Sequence, residues 1–173
     1  MLTKKIFIVV GYKDKKVIGQ MPDIKATIKL SEEIKSINGD KSIAIISSTE
    51  FIIVDEARII SKQLGVKFKK YKELKSPLSA RMDGPVGLPL CNRFSLTDKM
   101  YDLIEPLLNQ TEALVIVTDN AWSEFLKDNL ANHFVKLHFP YEMKTNREYR
   151  PYIREGGLHV IDLKKQTIDS IKF

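Results

Sequence analysis

Strand and helix patterns alternate along most of this 173-residue chain, which predicts an α/β fold. The expected architecture is a three-layer sandwich around a mostly parallel central sheet, with an antiparallel edge strand. Three observations carry this. Two continuous apolar runs, Ile6–Val10 and Ala113–Val117, read as strands buried on both faces of a parallel sheet. Segments with apolar residues at helical spacing follow the strands and supply the crossovers. The chain closes on two strand-like segments around a short polar turn, a hairpin that puts an antiparallel strand at one edge.

Taken in order, Ile6–Val10 ends at Gly11, and Tyr12-Lys13-Asp14-Lys15-Lys16 is a polar loop. Pro22 suits the first turn of a helix whose apolar face is Ile24, Ile28, Leu30, Ile34 and Ile37, stopped by Asn38-Gly39-Asp40. Ser42–Ile46 is a second strand, and Ser47, Ser48 or Thr49 caps the next helix. Ile52, Ile53, Ala57, Ile60 and Leu64 mark that helix, with Gly65 as its C-terminal stop. A short strand begins at Val66-Lys67-Phe68. Residues 75–94, with three prolines and two glycines, read as a long loop. Ser95-Leu96-Thr97-Asp98 has the spacing of a capping box for a helix through Leu108, kinked near its end by Pro106. A helix through Trp122, Leu126 and Leu130 follows the strand Ala113–Val117. Val135–Phe139 reads as a further strand, residues 141–155 as a polar insertion, and Leu158–Leu163 with Thr167–Phe173 as the terminal hairpin.

Length and composition predict one domain over residues 1–173, able to bury a core without disulfides or metals. The single cysteine, Cys91, excludes an intramolecular disulfide and suits a reducing compartment. No apolar run approaches bilayer length, and the start of the chain is too short for a secretory signal, so a cytoplasmic protein with no membrane partner is expected. The formal charge of +6 and pI of about 9.3 favour anionic partners. Nucleic acid is disfavoured, because the lysines are interleaved with acids and no aromatic-basic run is present to stack bases. Nothing in the sequence sets the oligomeric state.

The order and spacing of these segments resemble the histidine phosphatase superfamily, the phosphoglycerate mutase-like fold. In that family the first strand ends in Arg-His-Gly, the second enters a helix carrying an arginine and a Thr-Ala pair, and a later strand ends in Ser-His-Gly. Here Ile6–Val10 matches the first strand, and Ser47-Ser48 with Ala57–Gly65 resembles the second strand's exit and helix. Ala113–Val117 matches the later strand, and Gly157–Leu163 looks like the closing one. The catalytic residues that the resemblance implies are replaced. Val10-Gly11-Tyr12 stands for Arg-His-Gly, Thr118-Asp119-Asn120 for Ser-His-Gly, Ile52 for the arginine and Glu56-Ala57 for the Thr-Ala pair. The family reaction needs a nucleophilic imidazole and cationic donors around the phosphoryl group, which these residues do not supply.

The resulting expectation is a catalytically inactive pseudophosphatase with no metal or cofactor. Its former active-site cleft would bind a phosphorylated or anionic small molecule, or a protein. The expected lining is Gly11, Tyr12, Lys13, Ser47, Ser48, Thr118, Asp119 and Asn120 at the strand ends, with Arg154 reaching in from the insertion. His133, His138 and His159 lie away from the strand ends and read as structural. Two alternatives stand beside this. Asp14 and Asp119 could hold Mg²⁺ for phosphoryl hydrolysis, although an aspartate after a strand is more often a helix cap. Residues 141–155, with Tyr141, Tyr149, Tyr152, Arg147, Arg150 and Arg154, could instead form a protein-interaction surface.

Overall fold

A computed structural model describes residues 4–11, 21–74, 90–135 and 156–173. Its elements are β1 (Lys5–Val10), α1 (Ile24–Asn38), β2 (Ile43–Ser47), α2 (Phe51–Leu64), β3 (Phe68–Lys70), a 3-10 turn (Lys72–Leu74), α3 (Leu90–Gln110), β4 (Ala113–Val117), α4 (Asn120–Phe134), β5 (Gly157–Asp162) and β6 (Thr167–Lys172). They build one six-stranded sheet in the order β3-β2-β4-β1-β5-β6. β1, β4, β2 and β3 are mutually parallel, whereas β5 runs against both β1 and β6. The predicted α/β sandwich and terminal hairpin are therefore both present.

The apolar runs predicted to be doubly buried are so because consecutive side chains enter opposite layers. Phe7 and Val9 of β1 pack with Val115 and Val117 of β4 against Leu30 and Ile34 of α1 and Ile53, Ala57 and Ile60 of α2. Ile6 and Ile8, with Leu114 and Ile116, face Met100, Ile104 and Leu108 of α3 and Trp122, Leu126 and Leu130 of α4. At ~1.5–3 kcal/mol for each large side chain removed from water, these two layers are the main source of stability.

Local signals account for most of the helix ends. Asp23 caps α1 by accepting from the Ala26 amide at 3.0 Å, so Pro22 lies just before the helix rather than in its first turn. The buried stripe of α1 is Thr27, Leu30, Ser31, Ile34 and Asn38, and Ile24, expected on that face, is exposed. Residue 50, not one of the three hydroxyl residues before it, takes the N-cap position of α2 without a side-chain cap bond. Gly65 ends α2 in the left-handed region at φ 68°, as its position implied. The third strand starts two residues later than expected, at Phe68.

The main departure is α3, which begins at Leu90. Ser95 and Asp98 thus lie inside the helix and not at its start, and residues 90–94 are helix instead of loop. The helix continues through Pro106 to Gln110. Val135 closes the turn after α4, and the remainder of the strand expected at 135–139 lies outside the described residues. No helix among the described residues is long and apolar enough to cross a membrane.

Candidate functional site

β1 and β4 are adjacent and parallel, yet the helices that follow them lie on opposite faces of the sheet. The carboxyl ends of the strands at such a switch point are where open α/β sheets place their ligands. The sequence put Gly11, Ser47, Ser48, Thr118, Asp119 and Asn120 at this edge, and the structure brings all six there.

Asn120 joins the two strand ends directly. Its Oδ1 accepts from the Gly11 amide at 2.8 Å, and its Nδ2 donates to the Gly11 carbonyl at 3.1 Å. A second donor, the Gly156 amide, reaches the same carbonyl at 3.1 Å. The end of β1 is thus fixed to α4 on one side and to the chain entering β5 on the other. Asn120→Leu leaves the Gly11 amide without its acceptor and is expected to cost ~1–3 kcal/mol, read from the midpoint of a urea melt. A midpoint equal to wild type would remove Asn120 from this role.

The hydroxyls of the site are committed to backbone. Thr118 donates to the Leu74 carbonyl at 2.9 Å, tying the end of β4 to the 3-10 turn. The Ser47 hydroxyl donates to the Ser48 carbonyl at 3.0 Å, and the Ser48 amide donates to the Val117 carbonyl at 3.1 Å. Ser47, Ser48 and Thr118 are fully buried and act as joints between strand ends, not as a wall facing a ligand. Asp119 has the role that an aspartate after a strand favours. Its carboxylate accepts from the Trp122 amide at 3.4 Å, and its carbonyl from Ser123 at 2.9 Å, which caps α4. An aspartate at a helix N-terminus is further favoured by the helix dipole.

The residue that did not figure among the expected lining is Glu56. It lies on the buried stripe of α2 with Ile53, Ala57 and Ile60, only 4% exposed. A Cβ placed on Gly11 would stand 2.7 Å from the Glu56 Cδ and closer still to both carboxyl oxygens. The carboxyl therefore fills the volume that any side chain at position 11 would enter. Its Oε1 is buried and has no hydrogen-bond partner among the described residues. Burial raises its pKa to about 8, so at neutral pH the group is mostly the uncharged acid. A charged residue on the apolar stripe of a helix was the sequence signal for it. Its partner, Gly11, is remote in sequence and is found only by folding.

Tyr12, Lys13, Asp14, Arg154 and the whole segment 141–155 lie outside the described residues, as does His138. The two described histidines are structural. His133 stacks on Tyr101, ring centroids 4.0 Å apart, with Nε2 2.9 Å from Glu105 Oε1. His159, in the middle of β5 and fully buried, places Nε2 2.6 Å from Glu124 Oε1 and Nδ1 2.7 Å from Ser170 Oγ. Burial alone would raise the Glu124 carboxyl. The hydrogen bonds from His159 and Lys127 overcome it and hold the pKa down at about 2. An ionised carboxylate only accepts, so His159 donates from Nε2, and in the neutral ring Nδ1 accepts from the Ser170 hydroxyl. This cluster joins α4 to the hairpin and stands apart from the strand ends.

No protein-family model and no curated protein sequence matches the chain. Solved structures do. A mycobacterial glucosyl-3-phosphoglycerate phosphatase aligns over 99% of this chain and 98% of its own at 10% identity, with a TM-score of 0.60. Phosphoglycerate mutase from Plasmodium falciparum aligns over 100% and 91% at 14% identity and a TM-score of 0.53. Mycobacterial hydrolase 2 aligns over 98% and 89% at 11% identity and a TM-score of 0.60. At such identities the likeness shows the fold: this chain has the phosphoglycerate mutase-like α/β fold shared by histidine phosphatases.

Proposed function

We propose that this chain is a catalytically silent protein on the histidine phosphatase fold, whose strand-end crevice binds an anionic, phosphate-bearing ligand in a regulatory role. One observation carries the reading. Position 11, which the resemblance aligns with the nucleophilic histidine, has no side chain, and a carboxyl from α2 occupies the space in front of it. The second imidazole position is Asp119, already committed as a helix cap. Among the described residues at the strand ends no group combines a nucleophile with an adjacent base, and the hydroxyls of Ser47 and Thr118 bond to backbone instead. The overall charge of +6 favours an anionic partner, in keeping with a cytoplasmic phosphorylated metabolite or phosphoprotein.

An aryl-phosphate assay with and without Mg²⁺ or Mn²⁺ tests the silent reading, and no turnover above buffer is expected. Metal-dependent turnover that disappears in Asp119→Asn would overturn it in favour of a metal-dependent hydrolase, since asparagine keeps the helix cap while removing the charge. Stabilisation by phosphorylated metabolites in a thermal-shift screen tests the ligand.

A further inference from the structure

Resting on the binding role just proposed, we propose that Glu56, acting as a neutral acid, donates the hydrogen bond that holds an anionic oxygen of the ligand at the β1–β4 crevice. A carboxylate at this position would repel an anion. The uncharged acid reverses this, because its O–H is a donor and it carries no charge to oppose the ligand. Three features of the site converge. The carboxyl is more than nine-tenths buried, its Oε1 has no partner among the described residues, and it abuts Gly11 at the end of β1, which has no side chain. A buried polar atom left without a partner is unfavourable, and a ligand bond recovers that loss.

The surroundings keep the acid neutral. Among the described residues no cation forms an ion pair with it. On its own helix Arg58 is paired with Asp55 at 2.6 Å. From β1 it faces Gly11, and at the end of β4 stand the capping Asp119 and the uncharged Asn120. The neighbouring α1 carries Lys25, Lys29, Glu32, Glu33 and Lys35, and β3 carries Lys69 and Lys70; of these only Glu33 is not fully at the surface. Burial is the cause of its raised pKa, with no charge contributing.

Sulfate is the suitable probe, because its charge is constant across the range in which Glu56 titrates. Sulfate binding is measured by thermal shift and calorimetry against chloride at equal ionic strength, from about pH 6 to 9. Affinity should be highest below the Glu56 pKa and weaken about tenfold for each pH unit above it. Glu56→Gln, which keeps a neutral donor, should bind sulfate with no such pH dependence. Affinity that is flat with pH in the wild type, or lost in a folded Glu56→Gln, overturns the role of Glu56 while leaving anion binding intact. Stabilisation by guanidinium that grows above the pKa also overturns it, by making the carboxylate the binding form. No response to sulfate or to phosphorylated metabolites at any pH refutes the binding role itself.

Discussion

Gly11→Ala is expected to destabilise the protein by ~1–3 kcal/mol, the range for overfilling a packed site. The added methyl meets the Glu56 carboxyl at distances no real Cβ tolerates, with Cδ at 2.7 Å and both oxygens nearer. The carboxyl terminates a flexible side chain, so in an exposed setting it would simply swing aside. Here it is only 4% exposed, so swinging aside means repacking a buried side chain. Gly11 does not have a positive φ, so alanine is acceptable to the backbone and the test isolates the collision. Glu56→Ala should relieve it. In a double-mutant cycle the pair should couple by ~1 kcal/mol or more, with Gly11→Ala nearly harmless once the carboxyl is gone. The larger Gly11→His should be tolerated only beside a shortened residue 56, and threonine is the residue that the family resemblance implies there. Additive effects in urea melts would show that the two positions do not share a space.

The sheet was legible because both central strands are unbroken apolar runs, and burial on two faces leaves no other pattern for such runs. The hairpin was legible from its turn. The start of α3 was not, since the hydroxyl-x-x-acid spacing at Ser95–Asp98 is a preference that any helix interior can carry by chance. Pro89, immediately before Leu90, was the better boundary, because proline is tolerated at a helix start and not within it. The strand-end placement of the candidate residues followed from topology, and six of them do meet at one strand edge. Their tasks did not follow. Whether Thr118 faces a ligand or the Leu74 carbonyl depends on a turn 44 residues earlier in the chain, which no local pattern records. Glu56 was visible as a departure from the Thr-Ala pair, yet its meaning rests on the absent side chain of Gly11.

The same acid should shape the dependence of stability on pH. Glu56 has a folded pKa of about 8 against an ordinary value of 4.5, so between these values the native state holds a proton that the unfolded chain has released. Stability then falls as pH rises, at about 1.4 kcal/mol per pH unit for one fully linked proton, and levels off above the folded pKa. The contribution is complete below pH 4.5 and lost as pH passes through about 8. Glu124 has the opposite sign: its folded pKa of about 2 makes its contribution present above 4.5 and lost as acid protonates it. The two windows meet without overlapping, so each can be assigned separately. Glu56→Gln should therefore leave the acid limb unchanged and abolish the decline between pH 4.5 and 8. The gain over wild type should be absent near pH 4 and reach several kcal/mol above pH 8. Denaturant melts at a series of pH values measure that difference curve. Parallel curves for the two proteins would mean that Glu56 ionises in the folded state as freely as in the unfolded chain, and a carboxyl that does so cannot be the neutral donor of the crevice.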